Sequence, residues 1–595
     1  MKGENMAADD GVAICKDIIV QKKSSPRNST CLWLAGVFLA SFLLQFFLMD
    51  LRLNPYDEGL VLVDAMRTLN GDVIHRDYYS PYGPATYYIL AGLFKLDDHW
   101  FILGRIYGLT VMSGIVTAFF GLLIKRTTLT TAFTFTGLCL ALLLGTPFYL
   151  YPLFPSVLLS LIGSTLLLRW FQKERSQAIL LAGCMTGAIA LFRYDAGFFV
   201  AVAHSVALAS HILLSSGSAG QRYRKIAQAG MLYGGGVAIV FLPFAATYLR
   251  FAPISAFYND IIDYPLRYYA AMRGLPFPNP IDSINNPEIF VIYLPILAFF
   301  ISISEIFKIY SRKKIGLLNN YKRIHFALIL IFTPLAAILY YKGVVRVSPM
   351  HMIMSFIPSL LLFSIFFTRA WGKDTTSGHI GAVLILALAF WATVPPALER
   401  VISDLEQGKT PLNILLAHEV LSERRSKDRN CPNSPRMALS YQDYDYDMAG
   451  KYIRRFTEQN EKIFVGLDRH DKIFVNSVYL YFSSERNPGT HWHQFDPGIQ
   501  TRSDIQSNIV NDIRKNRVRW VIRDGNFENV HEPNKSSQSS GVHILDHYLA
   551  GRYHRVARFG ALEIWLINEA TAPHISNGDS CFGLPANSSP VATPI

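Results

Sequence analysis

The run Leu32-Trp33-Leu34-Ala35-Gly36-Val37-Phe38-Leu39-Ala40-Ser41-Phe42-Leu43-Leu44-Gln45-Phe46-Phe47-Leu48-Met49 passes directly into Asp50-Leu51-Arg52, and shortly after it comes Tyr56-Asp57-Glu58-Gly59. A helix that crosses a bilayer core needs about 20 mostly apolar residues. The run therefore reads as a membrane span, and the two acids behind it fall at the edge of a bilayer rather than in a soluble core. A cleavable signal peptide would have a shorter apolar region and a small-residue cleavage site. Neither precedes Asp50, so the segment reads as an uncleaved anchor.

The same pattern recurs along the chain, which has 595 residues, 51% of them hydrophobic and only 17% charged. Eleven apolar blocks stand out, at 32–49, 101–124, 129–145, 153–168, 178–192, 196–214, 231–248, 289–303, 326–341, 352–367 and 380–394. The expected fold class is an α-helical polytopic membrane protein, multi-pass in the cell membrane. Lys and Arg set its orientation. With a cytoplasmic N-terminus, the inner segments carry roughly twice the basic residues of the outer loops, among them Lys125, Arg126, Lys173, Arg175, Arg222, Arg224, Lys225, Arg312, Lys313 and Lys314. An odd number of spans then puts everything after Pro396 outside the cytoplasm. The net charge of +12 is a topology signal, so membrane lipids are expected partners and nucleic acid is not.

The chain divides into a polar cytoplasmic segment at 1–31, a membrane domain at 32–396, an extracytoplasmic α/β domain at 397–570 and a tail at 571–595. The tail is rich in Pro, Ser and Asn, the composition of a disordered segment. The first outer loop, 50–100, is far longer than a connection needs. Within it Leu62, Met66 and Leu69 share a helix face, which predicts a helix over Gly59 to Leu69 lying in the interface. Thr86 to Leu96 is too short to span and is expected to re-enter or lie on the surface. A second outer loop, 249–288, mixes Tyr258, Tyr264, Tyr268 and Tyr269 with Asp260, Asp263, Arg267 and Arg273, and an interfacial aromatic belt accounts for the tyrosines but not for the charges. In the C-terminal domain Lys462 to Leu467, Lys472 to Asn476, Arg517 to Arg523 and Leu562 to Ile567 read as strands. Met448 to Thr457, Ile505 to Lys515 and His543 to Tyr553 read as helices.

Candidate site residues follow from charge at a membrane edge, where ionisable groups are costly and usually functional. Asp57 and Glu58 are adjacent, so at most one faces a common cavity; Asp57 also suits a helix N-cap. Arg193-Tyr194-Asp195 sits in a short turn between two spans on the same side, and suits either an internal ion pair or a cavity wall. Arg346 falls on that side too, as a snorkelling anchor or a guanidinium for a phosphate. His491-Trp492-His493 has metal-pair spacing but no further ligand, so surface histidines are expected rather than a metal site. No nucleotide-binding signature appears; no cofactor is assigned, and a divalent metal is left open. A Cys431 to Cys581 disulfide suits the compartment, although no spacing pattern supports it.

Together, Asn54-Pro55-Tyr56-Asp57-Glu58-Gly59, then Asp77-Tyr78-Tyr79-Ser80-Pro81-Tyr82-Gly83-Pro84, then Arg105 in the next long helix resemble the GT-C membrane glycosyltransferases. Within them the chain looks most like the protein mannosyltransferase, aminoarabinose transferase and Rgt-type group. The resemblance covers 32 to about 396. It implies a polyprenyl- or dolichyl-phosphate sugar donor, a glycan, lipid or protein acceptor, catalysis on the extracytoplasmic face, and a catalytic acid in the first outer loop, which Asp57 matches. On that reading Asp57 is the general base, with Glu58 beside it, and Arg105, Arg193 and Arg346 are donor-phosphate ligands. Some members place a second acid in the next outer loop; here Thr146-Pro147-Phe148-Tyr149-Leu150-Tyr151-Pro152 has none, and Asp195 is the alternative. A transporter or flippase for a lipid-linked glycan would be expected to show internal repeats and broken helices at mid-membrane. A non-catalytic assembly protein would tolerate loss of Asp57.

Overall fold

The computed structural model describes residues 27–571, apart from 147, 216, 312–319, 374, 417–433, 438 and 441–442. The tail, most of the N-terminal segment, the basic run at 312–314 and both cysteines of the expected disulfide lie outside the described residues.

In chain order the helices of the first two thirds are α1 (Arg27–Leu48), α2 (Asp57–Leu69), α3 (Ala85–Phe94), α4 (Trp100–Leu123), α5 (Leu129–Leu144), α6 (Leu153–Lys173), α7 (Ser176–Phe192), α8 (Tyr194–Leu213), α9 (Ala219–Leu249), α10 (Leu294–Ser311), α11 (Asn320–Gly343), α12 (Pro349–Trp371) and α13 (Thr376–Glu406). Each of the eleven apolar blocks thus forms a helix. Nine helices among the described residues are long and apolar enough to cross a membrane, while α5 and α7 are apolar but shorter. Burial ranks their positions: 83% of the most apolar window of α12 is buried, against 17% for α1 and α9. Helix α12 is therefore the centre of the bundle. Leu32, Leu39 and Leu43 on α1 face outward, as a lipid-facing surface requires.

The last apolar block was expected to end at 394, yet α13 continues through Pro395 and Pro396 to Glu406. Residues 397–406 are good helix formers, and Arg400 and Asp404 pair one turn apart at 3.4 Å.

Helix α2 departs from the interfacial expectation. Every residue from Glu58 to Arg67 is buried, because the face that would have met lipid is covered by the C-terminal part of the chain. Gly59 permits this closeness: a Cβ there would fall 2.6 Å from the Cβ of Tyr479, whose N–H donates to the Pro55 carbonyl at 3.1 Å.

The C-terminal part comprises α14 (Tyr444–Phe456), β1 (Ile463–Leu467), α15 (Tyr479–Ser483), α16 (Ser503–Lys515), β2 (Trp520–Asp524), α17 (Ile544–Arg552), β3 (Tyr553–Phe559) and β4 (Leu562–Ile567). Its sheet has the order β1-β2-β4-β3, with β1 and β2 parallel and the other pairs antiparallel. Two expectations fail. Residues 472–476 are not a strand: the alternation of Ile473 and Val475 is satisfied by burial, and the Asn476 amide donates to the Val465 and His493 carbonyls at 3.1 and 2.9 Å outside any ladder. Tyr553 to Phe559 is a strand that the alternation did not disclose, because its faces are mostly exposed along an edge.

Candidate active site

The start of α2 sets the position of Asp57. The Asn54 side chain accepts from the N–H groups of Tyr56 and Asp57 at 3.0 and 2.8 Å, and Glu58 reaches back to the Asn54 N–H at 3.1 Å. Asn54 therefore caps the helix. Asp57 is released from that task, and its carboxylate makes no hydrogen bond or ion pair with a described residue.

Glu58 turns the other way. Its carboxylate meets Arg105 of α4 at 2.8 Å with both side chains almost sealed from solvent. Arg105 also donates to the Arg52 carbonyl at 2.9 Å, and its guanidinium lies 4.2 Å from the centre of the Tyr149 ring. This pair joins the loop to α4 and does not open toward Asp57. Burial pushes Glu58 up to about 7, although Arg105 and the Asn54 N–H pull it down.

Arg273 and Arg346 act on Asp57, and Arg193 and Lys342 form a second cationic group on the same side. Arg273, within the second long loop, pairs with Asp496 at 3.3 Å, and the Tyr56 hydroxyl donates to the same carboxylate oxygen at 3.1 Å. Arg346 forks onto Glu532 at 3.0 and 2.5 Å and donates to the Arg273 carbonyl at 2.9 Å. Arg193 forks onto Asp195 at 3.0 and 2.9 Å and donates to the Tyr151 hydroxyl at 2.7 Å. Lys342 meets the same Asp195 carboxylate at 3.0 Å. Two cations share one acid there, which leaves an excess of positive charge. Asp195 nevertheless keeps 42% of its side chain accessible, so the group borders an accessible cleft rather than a sealed core. Tyr82 and Tyr151 wall the cleft, with their ring centres 4.9 and 5.4 Å from the Arg193 guanidinium carbon.

Electrostatics tie Asp57 to Arg273 and Arg346. Burial pushes its carboxyl from 3.8 up to about 6, against the pull of Arg273 and then Arg346, with Asp496 adding to the rise. A carboxylate tuned toward neutrality can take a proton near physiological pH.

The structure thus sets Arg346 beside Asp57 and Arg193 with Asp195 across Tyr82 from it, and sets Glu58 and Arg105 apart. Sequence reasoning passed over Lys342, Asp496, Glu532 and Tyr151. A lysine at the end of a span reads as an ordinary interfacial anchor, and Asp496 is 440 positions from the Tyr56 it bonds, with no motif to connect them.

The histidines at 491 and 493 are not the surface pair expected: His493 is fully buried and His491 half-buried. His493 is sealed against Asp64 of α2 at 2.8 Å, and Arg67 approaches its other nitrogen at 3.3 Å. Among the described residues Asp471, His543 and Asp546 have potential ligand atoms within 4.8 Å of one another, but Arg469 and His470 already engage the two acids.

No family model matches the chain, and no curated protein matches it. Among solved structures it is similar to ArnT from Cupriavidus metallidurans bound to undecaprenyl phosphate, at 12% identity and a TM-score of 0.47, over 91% of this chain and 98% of that one. The apo state of the same protein gives 11% identity and a TM-score of 0.46, over 90% and 98%.

Proposed function

We propose that the chain is a GT-C-type membrane glycosyltransferase that moves a sugar from a polyprenyl-phosphate donor to an envelope or cell-surface acceptor on the extracytoplasmic side. The observation that carries this reading is one unengaged carboxylate, Asp57, tuned to about 6 under the pull of the Arg273 and Arg346 guanidinium groups, with Arg193 and Lys342 sharing Asp195 on the same side. Each half of that arrangement has a chemical task. The acceptor hydroxyl attacks the anomeric carbon of the donor while its proton passes to Asp57, and the bond from that carbon to the phosphate oxygen breaks. The electron pair leaves with the lipid phosphate, whose charge the cations stabilise.

The four cations divide this work by geometry. Arg193 and Lys342 share Asp195, so their surplus charge is available to an incoming phosphate. Arg346 offers a planar fork, suited to two phosphate oxygens, but must first loosen its hold on Glu532. Asp195 then acts as the anchor that fixes Arg193 and Lys342, and the Glu58–Arg105 pair holds the base of α2.

The test is turnover of a synthetic polyprenyl-phosphate sugar by the purified protein in nanodiscs, read as release of the lipid phosphate, beside a lipid and glycan profile of a deletion strain. Consumption by the wild type but not by Asp57→Asn supports the reading; equal consumption by both refutes the role of Asp57. Orientation is tested separately. Ser503 is exposed at the start of α16, and Ser503→Cys should react with a membrane-impermeant thiol reagent in intact cells. Labelling only after lysis would reverse the topology.

A further inference from the structure

A polar cavity of about 290 Å³ lies between α16 and the second long loop. Helix α16 buries Ile505, Ile509 and Ile513 on one side and turns Asn508, Asn511 and Asp512, at spacings of three and four residues, toward the cavity. The opposite wall is Ala256, Asn259, Asp260 and Tyr264, with His491 and Trp492 completing the lining; the Asp260 carboxylate is already paired with His75 at 2.8 Å. Around Asn259 the loop is π-helical, Asn259–Asp263 and then Pro265–Tyr269. Pro265 lacks the N–H that an α-helical ladder would use, and such π turns recur at functional sites.

The lining chemistry is specific. None of the side-chain amides of Asn259, Asn508 and Asn511 bonds to a described residue. Asp512 spends one carboxylate oxygen on the His491 N–H at 2.9 Å. Each amide offers two donors and an acceptor, and a carboxylate offers acceptors only, a set that matches neighbouring hydroxyls on a ring. Trp492 and Tyr264, both largely buried, complete the lining with apolar ring atoms. No Lys or Arg lines the cavity, which argues against an anionic ligand. Its volume lies near the lower end of ligand pockets, which start at roughly 300 Å³.

The cavity also has a physical link to the cleft. Trp492 and Asp496 are four residues apart in one loop, at most about 14 Å of chain. Tyr79 packs on the cavity rings, with its ring centre 5.1 Å from that of Trp492 and 6.1 Å from that of Tyr264, and its hydroxyl feels Asp496 and Tyr56 on the other side. We propose that this cavity is a subsite for a neutral sugar ring of the acceptor, which makes the acceptor a glycan rather than a bare lipid or an unmodified protein. The assignment of the bound sugar to the acceptor rests on the sugar-transfer reading of Asp57; the sugar-binding chemistry of the cavity does not.

The experiment is saturation-transfer NMR on the full-length protein in nanodiscs with maltotriose, cellotriose, mannotriose and chitotriose. At least one should receive saturation on its ring protons, and the double variant Asn508→Ala/Asn511→Ala should weaken its affinity at least about tenfold, the loss of a few hydrogen bonds. Both positions are exposed on α16, so the fold is expected to survive. Asn259→Ala, from the opposite wall, should act alike and guards against a defect confined to α16. Asp57→Asn should leave the signal intact, so failure of the transfer reading and failure of this subsite give different results. No signal from any of the four sugars, or a signal that all the asparagine variants leave unchanged, overturns the proposal.

Discussion

Replacing Asp57 by Asn should remove transfer and, at neutral pH, make the protein more stable. Burial lifts the carboxyl from 3.8 to about 6, so the folded protein holds the ionised form at a cost. A group whose folded pKa exceeds its unfolded value contributes its full stability below the unfolded value and loses it as pH rises through the folded one. For Asp57 that window runs from about 4 to about 6. Roughly two pKa units at 1.36 kcal/mol each set an upper limit of about 3 kcal/mol. Its partial exposure lets solvent screen the carboxylate and brings the expected gain to about 1–2 kcal/mol. The amide keeps the shape and carries no charge. Thermal unfolding of both proteins in one detergent, at about pH 8 and about pH 4, reads the difference: the variant midpoint should be higher at the first pH and equal at the second. Turnover should fall by about 10²–10⁴, the usual contribution of a general base. An Asn variant that gains nothing at the higher pH, or gains equally at both, refutes the account of Asp57 as a desolvated carboxylate.

Wild-type turnover should fall as pH drops through about 6, with the slope of a single proton, because protonated Asp57 cannot accept another; a flat profile across that range assigns the base elsewhere. Arg346→Lys should raise the KM for the lipid donor by about tenfold through loss of the two-pronged contact, and Arg346→Ala by more. Unchanged donor use in both would make Arg346 only the partner of Glu532. Gly59→Ala drives a methyl into Tyr479 and should cost about 1–3 kcal/mol as overpacking, seen as a lower unfolding midpoint together with reduced turnover. A midpoint equal to that of the wild type would mean that α2 and α15 part easily.

The spans were legible because a bilayer imposes one length and one polarity on each, and eleven blocks carried that signature. Asp57 was legible from its place after the first of them. Arg193 and Arg346 were too, as charges at span ends where solvation is poor. What sequence could not supply was partnership. Glu58 and Arg105 pair across 47 positions, and only the fold shows that this contact takes both out of the cleft. Helix α2 looked interfacial because its apolar face was read against lipid, whereas a later part of the chain covers it. Gly59, in the same motif, was passed over beside the two acids; its constraint is a close approach to Tyr479, visible only in three dimensions.

The origin of Asp496 and Glu532 has a consequence for biosynthesis. A ribosome that has just released α13 into the membrane has already made Arg193, Arg273, Lys342 and Arg346, but neither of the acids that hold Arg273 and Arg346. Until the final quarter of the polypeptide emerges and folds back, those guanidinium groups stand without counter-ions at the mouth of the bundle, and α2 lacks its cover. The proposed site is therefore completed last as the chain folds, and a prematurely terminated product would keep the cations without the acids that pair with them.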